Sequence, residues 1–147
     1  MKIIRNFLVV ATALFGFVSA ASADVNTVAV GGYDAVSYHS GTPVRGSGNF
    51  AYKYNGSMYL FSTEDNMKTF KKSPAKYIPA YGGYCAYGAA VGKKFNGDPE
   101  VWKIVDGTLY LNLNEDVSKI WNKDIAGNIV KADTNWKTIA EVAAEDL

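Results

Sequence analysis

The chain has 147 residues, nearly balanced charge (15 Lys and Arg against 14 Asp and Glu) and one cysteine, Cys85. Without Lys2 and Arg5, which fall in an N-terminal leader, 13 basic residues face 14 acidic ones and the net charge is about −1. No basic excess remains to hold a phosphate backbone, which argues against nucleic acid as a partner. A lone cysteine makes no internal disulfide, so stability must come from packing, and the length suits one domain with a real core.

Residues 1–23 read as a cleaved signal peptide: a basic head at Lys2 and Arg5, an apolar run over residues 7–18, and the small-residue site Ala21-Ser22-Ala23. The apolar run is too short to span a bilayer comfortably. Residues 24–147 are therefore expected as a single exported domain, periplasmic or secreted, with no stable membrane anchor after cleavage.

The mature chain opens with an apolar strand at Val28-Ala-Val30, a glycine turn at Gly31-Gly32, and a second short extended piece ending near Tyr38. His39 is the only histidine. Residues 50–54 and 58–61 flank Asn55-Gly56, the dipeptide that best fits a type I′ hairpin turn. Phe50, Tyr52 and Tyr54 fall on one strand face. Ser62 or Thr63 then caps a helix that begins Glu64-Asp65, buries Met67 and Phe70, and ends at Lys71-Lys72 before Pro74.

The next stretch, Pro79-Ala-Tyr-Gly-Gly-Tyr-Cys-Ala-Tyr-Gly, is rich in glycine and tyrosine and nearly uncharged. It reads as a tightly folded loop, poor as a helix, that sets Cys85 at a defined point among Tyr81, Tyr84 and Tyr87. Free cysteine is among the most buried residue types, so an inert thiol and a functional one both fit this context.

A second hairpin follows, residues 101–105 and 108–112 about Asp106-Gly107, with Asn114 capping a helix that begins Glu115-Asp116. Residues 55–72 and 106–123 align without a gap, with Tyr59, Leu60, Glu64, Asp65 and Lys68 repeated as Tyr110, Leu111, Glu115, Asp116 and Lys119. The fold class is therefore α+β: an antiparallel sheet built from two β-hairpin–helix units, helices packed on one face, with the Cys85 loop clamped at their junction. Apolar residues at helical spacing continue from Val117 to Ile139, interrupted at Gly127-Asn128, which predicts two helical pieces and a fraying acidic end.

Gly32-Tyr-Asp-Ala-Val-Ser-Tyr38, the segment Tyr81-Gly-Gly-Tyr-Cys-Ala86, Gly97-Asp-Pro99 with Trp102, and Asp106-Gly with Leu109-Tyr-Leu-Asn112 together resemble the YHS-domain family in a small exported form. The resemblance covers nearly all of the mature chain. It implies an α+β domain and an association with heavy-metal handling, chiefly copper; relatives occur beside metal-transporting ATPases and in some oxygenase components. Metal-associated YHS modules carry several cysteines and this chain has one, which leaves Cys85 and His39 as the metal-ligand positions.

Three functions follow. A metal-handling module, most readily for copper, would use Cys85 and His39, since copper(I) prefers thiolate and thioether and accepts imidazole. Met58 and Met67 are better placed as core, and no C-x-x-C or H-x-x-H pattern is present. A non-metal module would bind a small ligand or partner in an aromatic pocket around Cys85, lined by Tyr33, Tyr38, Tyr81 and Tyr84 with Asp34 as polar anchor. A thiol enzyme would need Cys85, His39 and Asp34 as a triad; its spacing matches no protease or transferase signature.

Overall fold

The computed structural model describes residues 27–147; the signal peptide expected over residues 1–23 lies outside the described residues. Both halves are built alike. Strand β1 (Thr27–Val28) leads into a tight turn, then β2 (Ser47–Tyr54) and β3 (Ser57–Phe61) form an antiparallel hairpin. Helices α1 (Glu64–Lys72) and α2 (Pro74–Tyr77) follow. After a short helix α3 (Ala86–Ala90), strands β4 (Asp98–Val105) and β5 (Thr108–Asn112) form the second hairpin, followed by α4 (Glu115–Trp121) and α5 (Ile125–Ile139). The α+β class and both hairpin–helix units match the sequence reading.

The local chemistry behind each unit is the one the sequence displays. Asn55 and Gly56 take φ of 47° and 79°, and Asp106 and Gly107 take 49° and 77°, the double positive φ of a type I′ turn. Thr63 accepts the Asn66 N–H at 3.1 Å and Asn114 accepts the Val117 N–H at 3.0 Å, so each helix starts on a side-chain cap. Phe70 and Trp121 stand at equivalent places and are fully buried. Phe70 sits within a ring of Tyr52, Tyr54, Tyr59, Phe61 and Tyr77; Trp121 packs on Tyr110 at 5.4 Å between ring centroids.

The repeat is longer than the hairpins. Displacing the chain by 51 positions lays β2 on β4 and β3 on β5, including the register shift that breaks each hairpin ladder near its open end. It also lays Ala29-Val-Gly-Gly-Tyr-Asp-Ala35 on Ala80-Tyr-Gly-Gly-Tyr-Cys-Ala86. Both stretches make the same left-handed turn: Val30, Gly31 and Gly32 at φ 51°, 55° and 83°, and Tyr81, Gly82 and Gly83 at 54°, 63° and 84°. Glycine is at ease there, but a β-branched Val30 is held against a cost of about 1–3 kcal/mol. Asp34 and Cys85 are thus equivalent positions. The Asp34 N–H donates to the Val44 carbonyl at 2.9 Å, and the Cys85 N–H donates to Phe95, the equivalent residue, at 2.8 Å.

The structure departs from the sequence reading at four places. The hairpins lie in two sheets, β1-β3-β2 and β4-β5, because β1 pairs in parallel with the β3 edge and Cys85 bridges in parallel to Leu111 on the β5 edge. Ser37–Ser40 is a single 3₁₀ turn rather than extended, started by the Asp34 side chain accepting the Val36 N–H at 2.9 Å. The Cys85 segment carries the helix α3, packed by its alanines against α5. The C-terminal helices break at Asn122–Asp124, while Gly127 and Asn128 lie inside α5: Asp124 caps the new helix by accepting the Gly127 N–H at 2.9 Å.

Helix α5 closes the second unit. Trp136 packs against Tyr81 and Tyr84, with centroids 5.6 and 6.1 Å apart. Lys94 lies over the Tyr84 and Trp136 rings and donates to the Ala140 and Val142 carbonyls at 2.6 Å each, fixing the C-terminal end of α5 where a cation suits the helix dipole. Among the described residues no helix is long and apolar enough to cross a membrane.

Candidate functional site

Cys85 is 1 % exposed and acts as the N-cap of α3: Sγ accepts the Gly88 N–H at 3.3 Å, and the thiol donates to Asn112 Oδ1 at 3.6 Å. Asn112 is itself buried and also accepts the Tyr87 N–H at 3.2 Å. The thiol is therefore engaged by its own fold.

His39 stands elsewhere, its ring edge-on to Tyr77 at 5.0 Å between centroids, with Nε2 buried and unpartnered. Burial, with Lys76 nearby, holds its pKa below the ordinary histidine value. A folded pKa below the unfolded one makes the unfolded chain bind more protons, so stability is retained above the unfolded pKa and falls as pH drops toward the folded one. Urea midpoints are expected to fall from pH 7 to pH 5 more steeply in the parent protein than in His39→Gln; parallel profiles would show that this ring does not contribute.

Asp34 is fully buried and anchors its own unit. Its carboxylate accepts from the Val36 N–H, the Ser62 N–H and hydroxyl, and the Asn66 amide at 2.6–2.9 Å. No hydrogen bond among the described residues joins Cys85, His39 and Asp34, each of which has its own surroundings. Among the same residues, no group of three or more His, Cys, Asp and Glu is gathered where it could hold a metal ion. A copper site of three His, Cys or carboxylate ligands is therefore not assembled among the described residues.

The tyrosines expected around Cys85 are dispersed. Tyr33 donates to Glu100 at 2.5 Å, Tyr38 to the Pro99 carbonyl at 2.8 Å and Tyr81 to Asp133 at 2.9 Å. Burial raises the pKa of Tyr38 and, with Asp133 beside it, that of Tyr81, so both hydroxyls stay protonated as donors. Tyr84 alone of this set faces open space.

That space is a cleft of about 610 Å³ between the two left-handed turns. Residues 28–31 form one wall and residues 82–84 the other; buried Tyr59 and Leu111 lie deep, and exposed Asn55 and Asn96 lie toward solvent. One close approach in its wall depends on Gly97, and Gly46 makes the equivalent approach in the first unit, outside the cleft. A Cβ on Gly97 would stand 2.6 Å from both the Gly83 carbonyl oxygen and Leu111 Cβ, and one on Gly46 would run into the Leu60 backbone. Strained backbone held in place by its surroundings clusters at binding sites, and Val30 lies in the cleft wall. The sequence carried the signal for this site in its repeated Ala-x-Gly-Gly-Tyr-x-Ala motif.

Among known families, the YHS domain matches residues 35–81, which begins after the first left-handed turn, covers the first hairpin and its helices, and ends before Cys85. No curated protein and no solved structure matches the chain.

Proposed function

We propose that the protein, whose residues 35–81 match the YHS domain, is a binding module working outside the cytoplasm, with its ligand seated between the two turns. The observation that carries this reading is the cleft itself: its volume lies in the range that small ligands occupy, and its walls include two copies of one left-handed turn. Thermal-shift screening of the chain from Asp24 onward against small-molecule fragments, with chelator present, is expected to give stabilising hits. Their amide shift changes should centre on residues 28–31 and 82–84.

The unpartnered Nε2 of His39 favours a second reading, copper(I) held by His39 or Cys85 with ligands from beyond the described chain. One tight equivalent of copper(I), lost in Cys85→Ser or His39→Ala, would establish that reading instead.

A further inference from the structure

The residues around the cleft define what it can hold. Among the described residues that line it, not one is Asp, Glu, Lys, Arg or His. An ionic group lying against Tyr59 and Leu111 would find no counter-charge in that described lining. An ionised ligand is therefore disfavoured. Arg45, donating to the Gly31 carbonyl at 3.4 Å, and Lys94, lying 5.2 Å over the Tyr84 ring, border the cleft and are not part of its described lining.

The cleft is not an apolar hole either. Asn55 and Asn96 bring amides, each with donors and an acceptor, and Ser57 brings a hydroxyl. Flat apolar area comes from Tyr54, Tyr59 and Tyr84. These rings are fixed before any ligand arrives: Tyr54 and Tyr59 pack on Phe70 at 5.8 and 4.7 Å, and Tyr84 packs on Trp136 at 6.1 Å. Pre-set side chains lower the ordering entropy that binding must overcome.

Resting on the cleft reading above, we propose that the ligand is a neutral saccharide of one or two rings. Such a molecule has an apolar C–H face to lie on tyrosine, a rim of hydroxyls to exchange hydrogen bonds with Asn and Ser, and no charge. A fully apolar ring compound would make no use of the amides and hydroxyl at the rim, which a saccharide's hydroxyls can bond.

The test is an amide shift titration of the chain from Asp24 onward with glucose, maltose, glucuronate, glucosamine and phenol. Glucose or maltose should move residues 28–31, 82–84 and 96, with at least tenfold weaker binding of glucuronate and glucosamine. Asn96→Asp, which places a carboxylate in the cleft without touching the core, should weaken the neutral sugar about fivefold or more. Equal binding of the charged sugars, or cleft shifts from phenol alone, would overturn the saccharide assignment while leaving a ligand cleft. Absence of cleft shifts from every probe, together with no fragment hits in the cleft, would overturn both.

Discussion

Asp34→Ala should destabilise the fold by about 3–5 kcal/mol, a large fraction of the 5–15 kcal/mol that holds a domain together. The carboxylate is fully buried and joins three pieces of the first unit: the turn at Val36, the end of β3 at Ser62, and α1 through Asn66. Removing it leaves several partly buried donors without their acceptor at once. The equivalent position in the second unit behaves differently. Cys85 holds only the α3 cap and the contact to Asn112, and serine both caps helices well and hydrogen-bonds an amide oxygen. Cys85→Ser should therefore change stability by about 1 kcal/mol or less. Urea unfolding of the two variants checks the contrast; comparable losses would mean that the thiol carries more of the fold than its hydrogen bonds indicate.

Gly97→Ala should be the most damaging single-methyl change in the second unit, and Gly46→Ala its match in the first, each at about 3 kcal/mol or more. At both positions the methyl would meet main chain, which does not swing aside as a flexible side chain can: the Gly83 carbonyl for Gly97, and Leu60 for Gly46. Gly97→Ala should also widen the cleft, since both Gly97 and the Gly83 it touches belong to the lining. Gly48→Ala is the control, with nothing within 4 Å of its added Cβ. A Gly97→Ala protein as stable as Gly48→Ala would show that the turn and hairpin are less tightly apposed than these distances imply.

The hairpins, their I′ turns, the caps at Thr63 and Asn114 and the buried pair Phe70 and Trp121 were legible because each depends on residues close together in the chain. The helix break was misplaced for a related reason. Gly127 looks like a helix breaker, yet the Asp124 cap lets it sit in the first turn of α5, and Asn128 is tied back by donating to the Trp121 carbonyl at 3.1 Å. The site was harder to see. A sequence draws the eye to its one cysteine and one histidine, whereas their surroundings depend on Asn112 and Tyr77, which come from other elements. The turn motif was present in both copies, but Asp34 opposite Cys85 and Val30 opposite Tyr81 obscured it. The tyrosines expected in one pocket are shared among two cores and the cleft, because alternate turn and strand positions face opposite ways.

Equivalence of Asp34 and Cys85 also explains how a lone cysteine sits stably in the chain without a disulfide. Each is the point where the left-handed turn hands over to the next element, and each is buried behind a backbone hydrogen bond to the loop ahead of its hairpin. The first unit fills that point with a carboxylate and the second with a small, weakly polar thiol.

Amide shift mapping of the chain from Asp24 onward, first with the best-binding fragment and then with one equivalent of copper(I), tests most directly where the ligand sits. A ligand between the turns predicts changes at residues 28–31, 55–57, 82–84 and 96–97 with the fragment, and no movement of Cys85, Gly88 and Asn112 with copper(I). Large copper(I) shifts at Cys85, Gly88, Asn112 or His39, with the two turns silent throughout, would contradict it and place the function at the thiol.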